Sequence, residues 1–506
     1  MLKKINFSSI NNSNLINDYI SGNNQVFNFF THKDIESSLK QRQKFNVNRL
    51  ALKKALLNYH KNFKVSPNCI KNINKLDNNN CVFITTGQQA GFMGGPLYTL
   101  YKIITCIKLS KQIEDKYKIP VIPLFWLASE DHDFDEINRA TRVDYTGILK
   151  TTTFKWNGIG RPISDLEISQ NIKDSFEEFT KAHHNFKHYK EALKYFSIPQ
   201  SKSYCHWSNQ IWLNLFSECG LVVIEPNIIN KISSNFFNDV IKKTSAISQA
   251  LHKRSDDLEL HNYPVAFNPN QAGRLFTFDK HGMRIRLKNN TAKQYSTDAA
   301  LRPILLDNIA PTIAHVLGPG ELTYHAMLQP LYKLLKTPQP YLQLRESFSI
   351  LNNAQLILLK SLNVTPEHII INRYKYNDIF NACLNNDDID KYQQLLDIYQ
   401  SLKSTLNSFK DTKSLQNPIK KTKDSIYQNI QMFYKRLNNV RLNQNNICPQ
   451  EILNCVISLW PNAPQERVLS PFSLIAQHST YLIKYLLELP LPTTANHQII
   501  SLNNER

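Results

Sequence analysis

The sequence predicts an α/β fold in which a parallel sheet with inserted segments is covered by helices and followed by a C-terminal helical coiled coil. Two apolar runs, residues 81–86 and 121–128, have the length and composition of strands that are buried on both faces. Residues 97–117 between them have helical periodicity, so the three segments form a βαβ unit, which is right-handed by default. Two later segments with heptad spacing are separated by Pro418, which indicates two helices joined by a proline break.

The chain of 506 residues is long enough for two or three domains, and its pattern divides into four parts. These are a mostly helical N-terminal segment packed on the core (1–80), the parallel-sheet core (81–375), an antiparallel helical coiled coil (376–445) and a C-terminal segment that returns to the core (446–506).

We expect an inserted subdomain within the core, at about residues 140–200 and 260–300. The first of these regions combines strand patterns with one helix over residues 174–196. The second contains a β-hairpin that turns at residues 279–282.

The heptad pattern lies on both sides of the break at Asn417 and Pro418. Its apolar positions are Leu395, Tyr399, Leu402, Leu406 and Phe409, and then Ile419, Ile426, Ile430, Phe433, Leu437 and Val440. Two interpretations stay open, an antiparallel hairpin or coiled coil and an amphipathic helix pair lying on the core. The pattern does not distinguish pairing within one chain from pairing between chains.

The net charge of +19 comes from lysines spread along the chain, without a long Lys/Arg block or a nucleic-acid-binding motif. We therefore expect no nucleic-acid partner, although the charge also suits acidic small-molecule substrates. No run reaches the roughly 18 apolar residues of a membrane span, so no membrane partner is expected. The eight cysteines form no CxxC pair and no cluster with histidine at metal spacing, which favours a reducing cytoplasm and no metal.

The stretch "TTGQQAGFMGGPLYTLYK", residues 85–102, places several of the 13 glycines between a predicted strand and a predicted helix. A loop before a helix N-terminus presents unpaired N–H groups to an anion. The spacing is neither GxGxxG nor GxxxxGK[ST], which disfavours a dinucleotide site and an ordinary P-loop. The candidates here are Gly87, Gln88, Gln89, Gly94, Gly95, Pro96, Tyr98 and Lys102. The alternative is a tight strand-to-helix turn with solvated glutamines.

The second strand ends in "SEDHDFDE", residues 129–136. Parallel strands end at one edge of a sheet, so this acidic cluster and the glycine loop are expected to face the same crevice. Glu130, Asp131, His132 and Asp133 suit a general base, an ammonium site or a hard metal. The alternative is an acidic helix N-cap.

A third cluster, "HVLGPGELTYHAMLQP", repeats the order of strand end, flexible loop and helix, with the helix expected to begin at Glu321. Gly318, Gly320, Glu321, Tyr324 and Gln329 are the candidates for substrate contact. A plain capped helix is the alternative.

Four stretches together, "TGQQAGFMGGPLYTLYK", "PLFWLASEDHDFDEI", "RPILLDNIAPTIAHVLGPGELTYHAMLQPLYK" and "PQERVLSPF", resemble the bacillithiol biosynthesis cysteine-adding enzymes, the cysteine ligase family. The resemblance spans nearly the whole chain. It implies a Rossmann-like core related to HIGH-type nucleotidyltransferases, with inserted segments and a coiled coil that pairs subunits into a homodimer. It also implies that the carboxyl group of cysteine is joined to the amine of glucosaminyl malate, the last pathway step.

The resemblance further implies that the candidates from Gly87 to Pro96 line the core pocket together with Glu130, Asp131, His132 and Asp133. Making an amide from a free carboxylate requires an activated acyl group, so we expect ATP to form an acyl adenylate or an acyl phosphate. The loop, with Lys102, would bind an anionic group; Glu130 or Asp131 would hold the cysteine ammonium group, and His132 would accept the proton of the amine. Two alternatives stay open, an acyl-activating enzyme for another amino acid and a coiled-coil scaffold protein.

Overall fold

The computed structural model describes residues 2–144, 148–158, 160–288, 292–362, 364–373, 386–409, 413–444 and 448–502. The strands, numbered along the chain, are β1 (Leu2–Asn6), β2 (Val82–Gln88), β3 (Val121–Leu127), β4 (Arg139–Val143), β5 (Leu149–Thr153), β6 (Val222–Ile224), β7 (Leu275–Phe278), β8 (Arg284–Arg286), β9 (Ser296–Thr297), β10 (Thr312–Leu317), β11 (Tyr341–Leu344), β12 (Ser347–Asn352) and β13 (Asn496–Leu502).

The α-helices of the first part of the chain are α1 (Asn14–Ser21), α2 (Ile35–Arg42), α3 (Arg49–His60), α4 (Pro67–Asn74), α5 (Leu97–Tyr117), α6 (Gln170–Lys181), α7 (Tyr189–Phe196), α8 (Tyr204–Leu215), α9 (Pro226–Asn230), α10 (Ser234–Lys242) and α11 (Thr244–Leu260). The later helices are α12 (Arg302–Ile309), α13 (Pro319–Leu334), α14 (Asn353–Ser361), α15 (Pro366–Asn372), α16 (Asn386–Ser408), α17 (Gln416–Gln444), α18 (Pro449–Leu459), α19 (Gln465–Val468), α20 (Pro471–His478) and α21 (Tyr481–Glu488).

The centre of the molecule is a five-stranded parallel sheet in the order β11-β10-β2-β3-β6. The predicted βαβ unit is confirmed, because β2 pairs in parallel with β3 from Val82 opposite Val121 to Gln88 opposite Leu127, and α5 connects them. β3 is apolar and buried along its whole length, and β2 is buried from Val82 to Thr86, as expected for a sheet with helices on both faces.

The two faces of the sheet contact different helices. Val82, Ile84 and Val316 share a core cluster with residues of α2 and α5. Because successive side chains of a strand alternate, Thr85 and His315 project from the opposite face. There His315 contacts α12, so α12 and α13 lie on the face away from α5.

The inserted segments contain two small antiparallel structures. Strands β4 and β5 pair from Arg139 opposite Thr153, and β7 and β8 form the predicted hairpin with Gly282 bonded back to Asp279. The single helix expected over residues 174–196 is wrong, since α6 ends at Lys181 and α7 begins at Tyr189.

Contacts with α20 explain the break between α6 and α7. The His183 ring contacts Ser473 Oγ at 2.8 Å, and the backbone N–H of His188 donates to the carbonyl of Ala476. Tertiary contacts of this kind override a continuous helical pattern.

In the C-terminal region, β1, β13 and β12 form a second sheet, in which β12 and β13 are parallel. Helices α16 and α17 pair antiparallel within the chain, since Tyr392 stacks on Tyr434 and Tyr399 lies near Tyr427. The pair is thus a hairpin, but the expected break at Asn417 and Pro418 is wrong, since α17 begins at Gln416 and includes both residues in its first turn. The limits predicted for the coiled coil, residues 376 and 445, lie outside the described residues, and the domain limits stay predictions.

The hairpin buries fewer of the heptad positions than the spacing predicts. Leu402, Phe409, Phe433 and Val440 are exposed, at 38–58% of their surface. The described contact between the helices uses Tyr434 and the ion pair of Arg441 with Asp388 at 2.6 Å. Within the described ranges, no helix combines the length and apolar character that a membrane crossing requires.

Candidate active site

A cavity of about 650 Å³ lies where β2, β3 and β10 end, at the carboxyl edge of the central sheet. Its walls come from these strands, from α5 on one side and from α12 and α13 on the other. Both the position and the volume are typical of ligand sites in α/β proteins.

The structure brings the first and third predicted clusters together in this cavity. The predicted residues that line it are Gly87, Gln88, Gln89, Pro96, Tyr98, Lys102, Gly318, Gly320, Glu321 and Tyr324. Helix α13 begins at Pro319, two residues before the predicted start at Glu321. The Gln329 side chain is elsewhere, bonded to Arg254 at 2.6 Å.

Lys102 links the two clusters. Its ammonium group is buried and donates to the Gly87 carbonyl and to Gln88 Oε1, both at 2.9 Å. It also forms an ion pair with Glu321 at 2.5 Å. Burial lowers the pKa of Lys102, while the Glu321 carboxylate acts in the opposite direction. Glu321 therefore compensates the charge of Lys102. The hydrogen bonds of Lys102 to Gly87 and Gln88 hold this part of the cavity wall in place.

Gly94 and Gly95 lie outside the cavity and form a packed turn before α5. Their φ angles are 84° and 69°, a region that favours glycine. A Cβ on Gly94 would lie 3.1 Å from Pro471 Cγ. The first N–H of α5, on Leu97, donates to the Leu469 carbonyl at 2.8 Å. This helix terminus is thus partly satisfied by the protein itself, unlike the open N-terminus on which the anion-site prediction was based.

The cluster from Glu130 to Asp133 does not line the cavity among the described residues; Glu136, from the same stretch, does. Glu130 is buried and accepts a hydrogen bond from Asn230 Nδ2 at 2.6 Å. Burial raises the pKa of Glu130. His132 and Asp133 are exposed.

Asp131 lies behind the cavity wall, where it orients two residues that line the cavity. Its Oδ2 accepts hydrogen bonds from Gln89 Nε2 at 3.2 Å and from Arg302 Nη2 at 3.3 Å. Burial raises the pKa of Asp131, but Arg302 and Arg284 together with the N–H of His132 lower it below its ordinary value. Asp131 is therefore a carboxylate already paired with arginine.

Sequence reasoning missed three arginines of the cavity, Arg302, Arg345 and Arg467. Arg345 is buried and forms a bidentate pair with Glu466 at 2.7 and 2.8 Å. Its Nε has no hydrogen-bond partner in the described part of the chain. The signal for Arg467 and Glu466 was present in "PQERVLSPF", which carried only the family resemblance.

Two histidines of the cavity were also missed, His315 and His325. His315 Nδ1 is 2.5 Å from Thr85 Oγ1, and its Nε2 is 2.8 Å from Asp307 Oδ2. The hydroxyl of Tyr332 donates to the same carboxylate oxygen at 2.6 Å. Both histidines occur in the third cluster, but no local pattern connects them to their partners.

The cavity combines cationic groups with unmatched neutral donors and acceptors. Its acidic groups are Glu136 and Glu321, and its cations are Lys102, Arg302, Arg345 and Arg467. Two further polar atoms of lining residues, Gln89 Oε1 and Trp126 Nε1, are buried without a partner among the described residues. Buried polar groups are normally hydrogen-bonded, so these atoms suit a polar ligand. Within the described ranges, no group of acidic, histidine and cysteine side chains has the arrangement of a metal site.

Comparison with known proteins covers almost the whole chain. The family described as bacillithiol biosynthesis BshC, N-terminal Rossmann-like domain, matches residues 1–300 and 287–346. The family described as bacillithiol biosynthesis BshC, C-terminal coiled-coil domain, matches residues 348–502. Together with the parallel sheet and the helical hairpin, these matches confirm the predicted fold class.

Curated relatives agree with the family matches. A protein of Oceanobacillus iheyensis is 27% identical over 477 residues, covering 84% of this chain and 86% of the relative. A protein of Natranaerobius thermophilus is 27% identical over 404 residues, with 72% and 74% covered. A protein of Bacillus cereus strain Q1 is 24% identical over 549 residues, with 98% and 99% covered. All three carry the name "Putative cysteine ligase BshC". The chain belongs to the bacillithiol biosynthesis BshC family.

Proposed function

We propose that this protein is a cysteine ligase that joins the carboxyl group of cysteine to the amine of glucosaminyl malate and so completes bacillithiol. Family membership and the name of the relatives support the class of reaction. The observation that carries the choice of substrate is the cavity at the sheet edge, which is lined by three arginines and by residues with unmatched polar atoms.

The chemistry of the cavity fits a substrate with carboxylates and hydroxyls. Arg302 and Arg467 suit the two carboxylates of the malate group, since guanidinium groups bind carboxylates in charge-assisted pairs. Gln89 Oε1 and Trp126 Nε1 suit hydroxyl groups of the sugar, because one accepts and the other donates a hydrogen bond.

We propose ATP as the source of the activated carboxyl group, because a carboxylate in water does not react with an amine to form an amide. Bound ATP would supply a phosphoryl or adenylyl group that turns one carboxyl oxygen of cysteine into part of a leaving group. The cationic side chains of the cavity fit a polyanion, and Arg345 Nε, which has no partner among the described residues, would hold a phosphate oxygen.

We also propose that two chains pair through the helical hairpin, and that the protein works in the cytoplasm. The hairpin exposes a large set of apolar side chains, and exposed apolar surface of this extent marks an interaction site. They are Ile389, Ile398, Leu402, Phe409, Leu415, Tyr427, Met432, Phe433 and Val440. The cysteines that the structure describes are free thiols, in keeping with a reducing compartment.

Incubation of the purified protein with cysteine, glucosaminyl malate and ATP, followed by mass spectrometry of the thiols, tests the proposal. We expect bacillithiol to form, and cells without the protein to accumulate glucosaminyl malate. Unchanged thiols in those cells would contradict the assignment. A product made only with a different amino acid would favour the alternative acyl-activating enzyme.

Substitution of Arg467, an exposed arginine at the cavity, tests the binding site. We expect Arg467→Gln to lower kcat/KM for glucosaminyl malate at least about tenfold, because one charge-assisted contact is worth roughly 1.5–3 kcal/mol. Arg139→Gln is the matched control, since Arg139 is exposed on β4 away from the cavity. Equal kcat/KM values in the two variants would exclude Arg467 from the site.

A further inference from the structure

One buried histidine of the cavity differs from the others in the described part of the chain. His32, His60, His183, His315 and His497 have hydrogen-bond partners at both ring nitrogens. His325 is 1% exposed and lines the cavity, yet its Nδ1 has no hydrogen-bond partner among the described residues. An unpaired buried nitrogen beside a cavity suits contact with a ligand, since buried polar groups are otherwise satisfied by the protein.

We propose that His325 is the general base of the ligase, accepting a proton from the amine of the substrate, and that His315 with Asp307 positions its ring. The proposal rests on the proposed ligase function and adds the residue that moves the proton. It differs from the expectation for His132, whose side chain is 50% exposed and which lies outside the cavity lining.

His325 sits in a fixed orientation on α13. Its ring lies 5.0 Å from the Tyr324 ring, nearly parallel to it, and 5.5 Å from the ring of His315. Behind His315, the Asp307 carboxylate accepts hydrogen bonds from His315 Nε2 and from the Tyr332 hydroxyl. The Thr85 hydroxyl then donates to His315 Nδ1, because Nε2 carries the proton. Both nitrogens of His315 are occupied, so neither is free to take a proton from the substrate, and His315 acts on His325 through the contact of their rings.

The environment keeps His325 in the form that accepts protons. Burial lowers its pKa well below 6.5, and the neighbouring His315 lowers it further. The charged groups of the surrounding elements are Asp307 and Arg302 on α12, Glu321 on α13 and Lys102 on α5. A neutral imidazole at neutral pH can take up a proton at the moment when the amine becomes an amide.

The step balances without an oxidant or a metal. The amine nitrogen attacks the activated carboxyl carbon of cysteine, and a carbon–nitrogen bond forms. The bond from that carbon to the activating group breaks, and the group leaves with its electron pair. The proton of the amine nitrogen moves to His325 and then to solvent. The only co-reactant is cysteine carrying an activated carboxyl group, an ester or anhydride.

Steady-state kinetics of the full-length protein with the three proposed substrates test the inference. We expect His325→Gln to lower kcat at least 100-fold with KM values changed less than about threefold, since general bases contribute 10²–10⁴ in rate. We expect the acidic fall of kcat, measured with saturating substrates, to be steeper in the wild type than in the variant, because the base titrates in addition to the substrate amine. His183→Gln, a buried histidine outside the cavity, should keep the wild-type kcat and the acidic fall.

Substitution of a residue that supports His315 and Asp307 is expected to lower kcat less than substitution of His325. We expect Tyr332→Phe, which removes one hydrogen bond to Asp307, to lower kcat about threefold to tenfold without changing KM. A merely structural role would change the melting temperature and leave kcat of the folded fraction unchanged.

Different results would contradict the ligase function and the role of His325. A wild-type protein that makes no bacillithiol would overturn the function itself. A wild-type protein that makes bacillithiol with a kcat that is independent of pH on the acidic side would overturn the role of His325, even if His325→Gln failed to fold. A folded His325→Gln variant that retained wild-type kcat would do the same.

Discussion

Lys102 is a buried charge, and its effect on stability depends on its ion pair with Glu321. Its ammonium group is 2% exposed and is paired with Glu321, while its other contacts are neutral oxygens of Gly87 and Gln88. Such a pair is a weak source of stability as a whole, but removing one member leaves the other charge without compensation.

We expect Lys102→Met to lower the free energy of unfolding by about 3 kcal/mol, the range found when one member of a buried pair is removed. The double variant Lys102→Met, Glu321→Gln should recover part of that loss, because no unpaired carboxylate remains. Urea denaturation measures both. Lys53→Met is the control, since Lys53 pairs with an exposed Asp77 and its loss should cost at most about 1 kcal/mol. Equal losses for Lys102→Met and Lys53→Met would contradict this account.

At the level of single residues, the sequence identified site candidates where glycines and polar residues cluster within a few positions. Gly87, Gln88 and Gln89 were found this way, and they line the cavity. Arg345 and His325 were not found, because one arginine or one histidine in a long chain has no distinguishing local pattern. Their importance comes from an unpaired nitrogen beside a cavity, which is a property of the folded chain.

At the scale of elements, the turn between β2 and α5 depends on backbone conformation. Gly94 has φ 84° and packs against Pro471, whereas Gly320 is in the first turn of α13 with open space around its Cα. The two glycines belong to two loops of the same type, each between a strand and a helix, but they have different physical reasons to be glycine.

We expect Gly94→Ala to lower the free energy of unfolding by about 1–2 kcal/mol, because a left-handed backbone costs that much for a residue with a Cβ. Gly320→Ala should be neutral or raise stability by about 0.5 kcal/mol, since alanine restricts the unfolded chain and fits a helix. Thermal or urea unfolding of the two variants checks the contrast. A Gly94→Ala protein as stable as the wild type would show that the turn can adjust.

The helical hairpin carries exposed apolar side chains on both of its helices. Ile398 and Phe433 are 64% and 55% exposed, on α16 and α17. We expect Ile398→Glu with Phe433→Glu to convert a dimer into a monomer in sedimentation velocity, because two buried carboxylates cannot be paired in an apolar interface. Gln428→Glu, an exposed polar position on α17, should leave the dimer intact. A wild-type monomer would contradict the proposed pairing.

The molecule as a whole contains several buried histidines that stay neutral when folded. Burial lowers the pKa of His60, His183 and His497 from 6.5 to about 4. The unfolded chain binds a proton on each of them near pH 6.5, while the folded protein binds none until about pH 4. Their contribution to stability is therefore complete above pH 6.5 and is lost as the pH falls from 6.5 towards 4.

We expect the free energy of unfolding of the wild type to decrease across this pH range, and His183→Gln to show a slope shallower by up to roughly 1.4 kcal/mol per pH unit, the value for one proton. Urea denaturation at a series of pH values between 4.5 and 7 measures the difference. His184→Gln is a suitable control, because His184 is exposed beside it in the chain. Parallel curves for the wild type and His183→Gln would rule out this histidine as a source of the acid sensitivity.

The sequence by itself determined the central βαβ unit, the hairpin around residues 279–282 and the helical pair near the C-terminus. Each depends on a local period of apolar residues or on a glycine or proline break, and such signals act over a few residues. The tertiary structure alone decided which polar side chains share the cavity. Thr85 and His315 are 230 positions apart, and Arg345 meets Glu466 across 121 positions. Contacts over such separations depend on how sheets and helices pack. For this reason only the tertiary structure shows that Asp131 binds Gln89 and Arg302 and that His325 lines the cavity.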